Sequence, residues 1–244
     1  MLFLMSGLSA YVYLFMLLAL GPAIVLMVYV YRLDTLDREP IGLLWSLVMR
    51  GVAAALAAGL LEAIGMRAFG LLSGLDPSGM QFEVMGDLMV VGVIEEGAKY
   101  ALMARRTWNS PAFNCRFDGV VYAVFTSLGF AGMENITYGL AYGPGVLFSR
   151  AIMAIPAHMG FAVLFGLFYG QAKLCGVRGH RLASALCAVG GYVLSVVAHG
   201  LYDSAAAMAT NESGGLFLLV MMAVYLIVFK VARSAARHDR RFAS

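Results

Sequence analysis

Several ionisable side chains lie in the middle of long apolar stretches of this sequence. They are Arg50, Glu95, Glu96, Lys99, Glu134, His158, His199 and Asp203. Charged groups are costly in the apolar interior of a membrane, so groups far from the ends of such a stretch indicate a functional site. A carboxylate against an apolar wall suits general acid–base chemistry, and two imidazoles with a carboxylate can bind zinc and leave a position for water.

Three of these residues, Glu134, His158 and His199, provide the ligand types of a zinc site. Two of the three could instead supply hydrogen bonds to an oxyanion. Asp203 lies one helical turn after His199, where it could accept the second imidazole N–H or join the coordination sphere. Both interpretations require these side chains to meet at one depth in the membrane.

Helical spacing separates the roles of the neighbouring acids. Residues four apart share a helix face, which pairs Glu95 with Lys99. The same spacing pairs His199 with Asp203. Glu95 and Glu96 point about 100° apart, so the two carboxylates are expected to do different work. Lys99 either belongs to the site or only forms an ion pair that lowers the cost of insertion.

The composition indicates a membrane protein. Of the 244 residues, 61% are hydrophobic and 13% are charged, and the mean hydropathy is +0.83. A soluble protein has about a quarter charged residues, so a soluble domain, a disordered tail and a nucleic-acid binder are excluded. Apolar stretches of membrane-spanning length predict an all-α, polytopic bundle of seven transmembrane helices in a single domain over residues 1–244. The predicted spans are 10–31, 41–62, 84–103, 117–141, 146–172, 183–209 and 215–232.

Depth in the membrane brings the candidates together. At about 1.5 Å per residue from the outer ends of the spans, the depths are ~17 Å for Glu95, ~11 Å for Glu134, ~18 Å for His158 and ~15 Å for His199. Four helices thus place acids and imidazoles in one layer, which predicts a single buried polar site. Arg50 could neutralise this cluster, and the sequence does not identify its partner.

Basic residues predict the orientation. Lys and Arg concentrate after the first, third, fifth and seventh spans, and the other connections hold only Arg67 and Arg150. The positive-inside rule places the N-terminus outside and the C-terminus inside, with 233–244 as a basic, solvated cytoplasmic tail. Asp118 is interpreted as a helix N-terminal charge. The three cysteines lack CxxC spacing, so neither a disulfide nor a thiolate zinc site is expected.

Four motifs resemble, in order, those of the PrsW family of intramembrane proteases, which is related to the CAAX-processing and bacteriocin-protecting membrane proteases. These motifs are Glu95-Glu96-xx-Lys99, Phe130-xxx-Glu134, the lone His158 and His199-xxx-Asp203. Asp37-Arg38-Glu39-Pro40 is similar to the family's entry to its second helix, so the resemblance covers residues 34–204. It implies a peptidase of the bacterial inner membrane, best known for the first cut in an anti-sigma factor, with Glu95 and Glu96 as the catalytic pair.

The resulting hypothesis is an intramembrane endopeptidase in which Glu95 activates a water that attacks a substrate carbonyl. Glu96 would orient the neighbouring groups or coordinate the metal ion, and Asp203 would fix the imidazole of His199. The expected partners are the lipid bilayer and a membrane-protein substrate, which is cut in or beside its transmembrane part. No nucleic-acid partner is expected, and the expected cofactor is zinc. Two alternatives stay open: a metal-free glutamate-type peptidase, and an ion- or proton-coupled transporter, because buried Glu and His chains also build relays.

Cysteine labelling in intact cells tests the orientation. Cysteines introduced in 105–116 and 173–182 are expected to be protected from an impermeant reagent added outside, because these loops are predicted to be cytoplasmic. Cysteines near 74–80 and 211–214 are expected to react. The opposite pattern would overturn both the orientation and an outward-facing site.

Overall fold

A computed structural model describes residues 2–209 and 213–242, with side chains from residue 9 onward. The helices are α1 (Leu2–Leu33), α2 (Ile41–Leu72), α3 (Met80–Gly86), α4 (Gly92–Thr107), α5 (Asp118–Tyr142), α6 (Gly145–Ile152), α7 (Ala154–Val177), α8 (Arg181–Met208) and α9 (Gly214–Arg237). A π-helical turn, Asp87–Val91, joins α3 to α4, and a single residue separates α6 from α7. In the described ranges the helices therefore form seven continuous segments.

The helical segments follow the predicted spans in order. Within the described residues, five of them are long and apolar enough to cross a membrane: Ser9–Leu33, Ile41–Leu72, Gly145–Val177, Arg181–Met208 and Gly214–Arg237. The chain is thus an all-α, polytopic membrane protein, as the composition predicts. The remaining two segments, 80–107 and α5, carry the candidate glutamates. Their crossing of the membrane and the N-outside orientation stay predictions.

Helix α5 is the centre of the bundle. Every residue from Asp118 to Gly132 is buried, whereas α1 and α9 expose large apolar side chains such as Leu17 and Leu219. Helix α5 packs against α1, α2 and α7, and α7 packs in turn against α8. A helix surrounded by neighbours in this way can be apolar on all faces, which explains why α5 shows no amphipathic stripe.

Glycines let α5 approach its neighbours at backbone contact. A Cβ built on Gly51 of α2 would overlap the carbonyl oxygen of Thr126 on α5. On the other side of α5, a Cβ on Gly166 of α7 would lie 2.6 Å from the carbonyl oxygen of Gly119. Small residues that allow such close approach are how helices pack in lipid, where no hydrophobic force drives them together.

The break between α6 and α7 follows from Pro156. A proline lacks the backbone N–H and its ring clashes with the preceding turn, so the helix is interrupted at Met153. The Met153 carbonyl accepts a hydrogen bond from the Tyr225 hydroxyl of α9, which fixes the break. As a result, Arg150 and His158 lie on two separate helices that both contact α5.

The C-terminal residues dock onto the bundle. Helix α9 ends at Arg237, and residues 238–242 return to the loop 108–117 between α4 and α5, where the Phe242 N–H donates to the Asn114 carbonyl at 2.8 Å. These residues thus contact the bundle through their backbone, while the side chains of Arg240 and Arg241 are exposed, as expected of a solvated flank. The region formed by 34–40, 108–118 and 238–242 is called the tail end of the bundle.

Buried acids gather at the tail end. Asp34 and Glu39 are 1% and 3% exposed. Asp34 Oδ2 accepts the Glu39 N–H at 3.3 Å, and Glu39 Oε1 accepts the Tyr122 hydroxyl at 2.7 Å. Burial is the main cause that raises the pKa of Asp34 to about 6 and that of Glu39 to about 7, and repulsion by the nearby Asp37 contributes to both shifts. The charged forms of these acids are therefore disfavoured at this end.

A pair of glycine substitutions on α2 tests the close packing. Gly51→Ala should lower the free energy of unfolding by about 1–3 kcal/mol or more, because the added methyl overlaps the backbone of α5. Gly59→Ala is the matched control, since a Cβ there meets nothing within 4 Å, and it should leave stability unchanged or raise it by up to about 1 kcal/mol. Denaturation in detergent measures both. Equal stability of the two variants would contradict the packing described for Gly51.

Candidate functional site

The predicted site residues form one contact network drawn from four helices. Helix α4 supplies Glu95, Glu96 and Lys99, α5 supplies Glu134, α7 supplies His158, and α8 supplies His199 and Asp203. Each of them makes an ion pair or a hydrogen bond to another member of the network. The structure thus brings all of them together in the interior of the bundle.

The ammonium group of Lys99 lies at the centre of this network. Its Nζ is 3.2 Å from Glu95 Oε2, 2.7 Å from Glu96 Oε1 and 3.3 Å from His158 Nδ1. The same Nζ lies 4.1 Å from the centre of the Phe130 ring. The three N–H donors of one ammonium can therefore hold both acids and an imidazole at once. Lys99 takes part in the site in addition to pairing with Glu95 along the helix.

The two neighbouring glutamates have different surroundings, as their 100° separation predicts. Glu96 Oε1 accepts hydrogen bonds from Lys99 and from His199 Nδ1, at 2.8 Å for the latter. Glu95 lines a cavity of about 910 Å³, and its Oε2 lies 3.7 Å from His199 Nε2. Of this pair, Glu95 is the carboxylate that a molecule in the cavity would meet.

Close backbone packing between α4 and α8 sets His199 against the glutamates. A Cβ on Gly92 would lie 3.0 Å from the Val196 carbonyl oxygen, and a Cβ on Gly200 would lie 2.8 Å from the Leu88 Cα. Leu88 belongs to the π-helical turn, a feature that recurs at functional sites because it displaces the helix by one residue. The turn and the two glycines together bring His199 within hydrogen-bonding distance of α4.

Both nitrogens of His199 face carboxylates. Its Nε2 is 3.1 Å from Asp203 Oδ2, and its Nδ1 contacts Glu96. The ring stacks on Phe161 at 4.8 Å between centroids, which fixes its plane. Asp203 therefore lies on the cavity side of His199, as Glu95 does. Glu96, rather than Asp203, accepts the hydrogen bond from the opposite imidazole nitrogen.

Glu134 lies between His158 and an arginine that the sequence analysis did not single out. Glu134 Oε2 is 2.9 Å from His158 Nε2 and 2.9 Å from Arg150 Nη2. The Arg150 Nε donates to Asn135 Oδ1 at 2.8 Å. Arg50, which was considered for this neutralising role, has a buried Nε that makes no hydrogen bond within the described residues. One feature of the sequence could have identified Arg150: it is one of only two basic residues in the predicted outer connections.

The metal-ligating atoms group differently from the predicted set. In the described part of the chain, Glu95, His158 and His199 offer ligand atoms that all lie within 4.8 Å of one another, and all three side chains are buried. Glu134 instead lies behind His158, on the nitrogen opposite Lys99. Geometry therefore favours Glu95 over Glu134 as the carboxylate that completes a two-histidine set.

This set fits a zinc ion in its donor types. Two imidazoles and one carboxylate are the ligands of many zinc peptidases. A metal-bound histidine usually donates its other N–H to a carboxylate, and here Glu96 and Glu134 occupy those positions. The charges also favour a cation, because two basic groups face four carboxylates and leave two negative charges in excess when the imidazoles are neutral. The groups counted are Lys99 and Arg150 against Glu95, Glu96, Glu134 and Asp203.

Comparisons with known proteins identify the family and several relatives of this chain. A family model described as PrsW family intramembrane metalloprotease matches residues 39–231. The chain is 27% identical over 218 residues to a Protease PrsW of Clostridioides difficile, covering 87% of this chain and 85% of the relative. It is 27% identical over 220 residues to one of Geobacillus kaustophilus (89% and 91% covered) and 26% identical over 215 residues to one of Bacillus subtilis (88% and 91% covered). No solved structure matches the chain.

Proposed function

The chain belongs to the PrsW family and is a multi-pass intramembrane endopeptidase, and from this premise we propose that it hydrolyses peptide bonds in the cavity beside Glu95. The position of Glu95 carries the proposal: its carboxylate is buried, lines the cavity and lies between Lys99 and His199. Because the matching family and the relatives are proteases, the transporter alternative is set aside.

The substrate is a membrane-embedded protein, and we propose that the segment cut is an extended one in or beside its membrane-spanning part. A helix keeps its peptide carbonyls in hydrogen bonds, so a segment must unwind before water can attack it. The cavity of about 910 Å³ is large enough for a few extended residues, and aromatic side chains such as Tyr138, Tyr202 and Phe217 line it. An anti-sigma-factor-like protein of the bacterial inner membrane is the substrate class that the family suggests.

The proposed chemistry uses groups already in place. Water adds to the substrate carbonyl while Glu95 takes its proton, and the proton then passes to the nitrogen of the leaving amine as the C–N bond breaks. His199 Nε2 and the Arg150 guanidinium line the same cavity and can stabilise the negative charge on the oxygen. Lys99 holds Glu95 and His158 in position.

Zinc is the proposed cofactor, and Glu95, His158 and His199 would hold it. The Lys99 ammonium, which contacts Glu95 Oε2 and His158 Nδ1, would have to move away from these two atoms when the ion binds. When bound, zinc supplies Lewis-acid polarisation of a carbonyl and of water. Glu96 and Glu134 would then fix the two imidazoles through their other nitrogens. With Glu95 engaged as a ligand, Asp203 would accept the proton, since this cavity-lining carboxylate lies 3.1 Å from His199 Nε2 and its side chain is 29% exposed.

Replacement of Glu95 tests the site. Glu95→Gln keeps the shape of the side chain but removes the base and the anionic ligand, so cleavage should fall by about 100-fold or more while folding and insertion persist. Comparison of membrane proteomes from cells with wild-type and Glu95→Gln protein identifies the substrate, and its cleavage in liposomes gives the rate. Asp76→Asn, at an exposed carboxylate that does not line the cavity, is the control and should retain activity. Undiminished cleavage by Glu95→Gln would refute the proposal.

Metal analysis separates the two peptidase mechanisms. The three cysteines are replaced by serine so that no thiolate binds a metal ion. The active protein should then contain one divalent ion, and His199→Ala should abolish its binding. Glu134→Gln should weaken the affinity by only about 10–100-fold, because Glu134 would act through His158. If active protein holds no ion and chelators leave cleavage unchanged, the metal-free glutamate-type mechanism is correct, with Glu95 as the base.

A further inference from the structure

A second group of metal-ligating side chains lies at the tail end, remote from the cavity. Cys115, Asp118 and Asp239 offer ligand atoms that all lie within 4.8 Å of one another. Cys115 and Asp118 are fully buried, and Asp239 is half-buried. Asp118 and Glu134 are separated by sixteen residues of α5, or about 24 Å, so this group is distinct from the candidate active site.

In the carboxylates of Asp118 and Asp239, one oxygen accepts hydrogen bonds from backbone N–H groups, and the other makes no hydrogen bond within the described residues. Asp118 Oδ2 accepts the N–H groups of Asn114 and Cys115, at 2.9 and 2.6 Å. Asp239 Oδ1 accepts the Phe117 N–H at 2.8 Å. Asp118 Oδ1 and Asp239 Oδ2 are buried and make no hydrogen bond in the described part of the chain. Leaving such oxygens unsatisfied is costly, which indicates that a ligand belongs there.

The charge around these oxygens identifies the kind of ligand. Asp34 Oδ1 and Glu39 Oε2 are likewise buried without a hydrogen bond within the described ranges. Arg241 pairs with Asp37 at 3.2 Å on the exposed side of the same region. A cation is the ligand that suits several buried carboxylates with unsatisfied oxygens, because it stabilises their charged forms, whereas an anion would be repelled by them.

We propose that Cys115, Asp118 and Asp239 bind a divalent metal ion of the zinc class. Ca²⁺ and Mg²⁺ take oxygen ligands, whereas a thiolate with carboxylate oxygens suits Zn²⁺ and its congeners Co²⁺ and Cd²⁺. The Cys115 thiol donates to Asn114 Oδ1 at 3.0 Å, so metal binding breaks this hydrogen bond and releases the thiol proton to the solvent. The metal–sulfur bond that forms needs no change of oxidation state.

The proposed ion would bind the C-terminal tail to the bundle. Asp239 comes from the segment after α9, and Cys115 and Asp118 come from the loop before α5 and from its first residue. The same two segments already meet through a single antiparallel β-bridge between the backbones of Cys115 and Arg241. A metal ion would add three ligand bonds to this contact, so it would stabilise the docked tail without touching the cavity.

Cobalt spectroscopy tests the site independently of any protease activity. The probe is Co²⁺ added to the detergent-purified full chain carrying Cys175→Ser and Cys187→Ser, so that Cys115 is the remaining thiol. Because Glu95, His158 and His199 contain no sulfur, thiolate-to-cobalt charge-transfer absorption reports on Cys115 alone. We expect saturable charge-transfer absorption from one thiolate-bound Co²⁺ per chain, in addition to any ion held by Glu95, His158 and His199. This absorption should persist after Glu95→Gln and disappear after Cys115→Ser.

Two carboxylate variants refine the test. Asp239→Asn keeps an oxygen for the backbone N–H but removes the charge, so Co²⁺ affinity should fall by about 10-fold or more. Asp37→Asn, at an exposed carboxylate of the same region, should change it by less than about 3-fold. Titration after unfolding shows whether the Cys115 thiol is intact. If it is intact and millimolar Co²⁺ gives no charge-transfer absorption, the proposal is overturned, and the two oxygens without hydrogen bonds share protons instead. Absorption that survives Cys115→Ser would overturn it as well.

Discussion

The interaction on which the network depends is the contact of one buried ammonium group with two consecutive glutamates. Glu95 and Glu96 could not both stay ionised in an apolar bundle without a nearby cation, because their repulsion is scarcely screened there. Lys99 contacts both of them and His158 as well. Loss of one partner from a buried ion pair typically costs about 3–5 kcal/mol, so this lysine is as much a condition for folding as for chemistry. Once it is in place, the helical twist alone directs Glu95 to the cavity and Glu96 to the back of His199.

That contact in turn requires the helices to lie closer together than ordinary side chains allow. Gly92 and Gly200 bring α4 and α8 to backbone contact, and Gly51 does the same for α2 and α5. In lipid such approach supplies the van der Waals packing that replaces hydrophobic burial. The same glycines therefore stabilise the bundle and place the imidazoles within reach of the glutamates. Packing and site geometry are set here by the same residues.

Sequence reasoning predicted the order of the helices and the common depth of the site, because both follow from apolar length and from the rise per residue. It grouped Glu134 with the two histidines, whereas the structure places Glu95 nearer to both, since depth does not fix the rotation of a helix about its axis. Arg150 was missed because its position depends on the break at Met153, where α6 separates from α7. The docking of 238–242 was also beyond prediction, because it joins segments more than a hundred residues apart through backbone hydrogen bonds.

The bundle contains two groups of buried acids, and they are compensated in different ways. In the contact network beside the cavity, Lys99 and Arg150 contact Glu95, Glu96 and Glu134 directly, and His199 contacts Asp203. At the tail end, Asp118 and Asp239 accept backbone N–H groups on one oxygen, and the other oxygen has no partner in the described residues. Backbone N–H groups fix the direction of a carboxylate but carry no net charge, so they cannot offset several acids at once. In the first group every carboxylate thus contacts a basic side chain or an imidazole, whereas in the second the proposed metal ion would meet the two oxygens that make no hydrogen bond within the described residues.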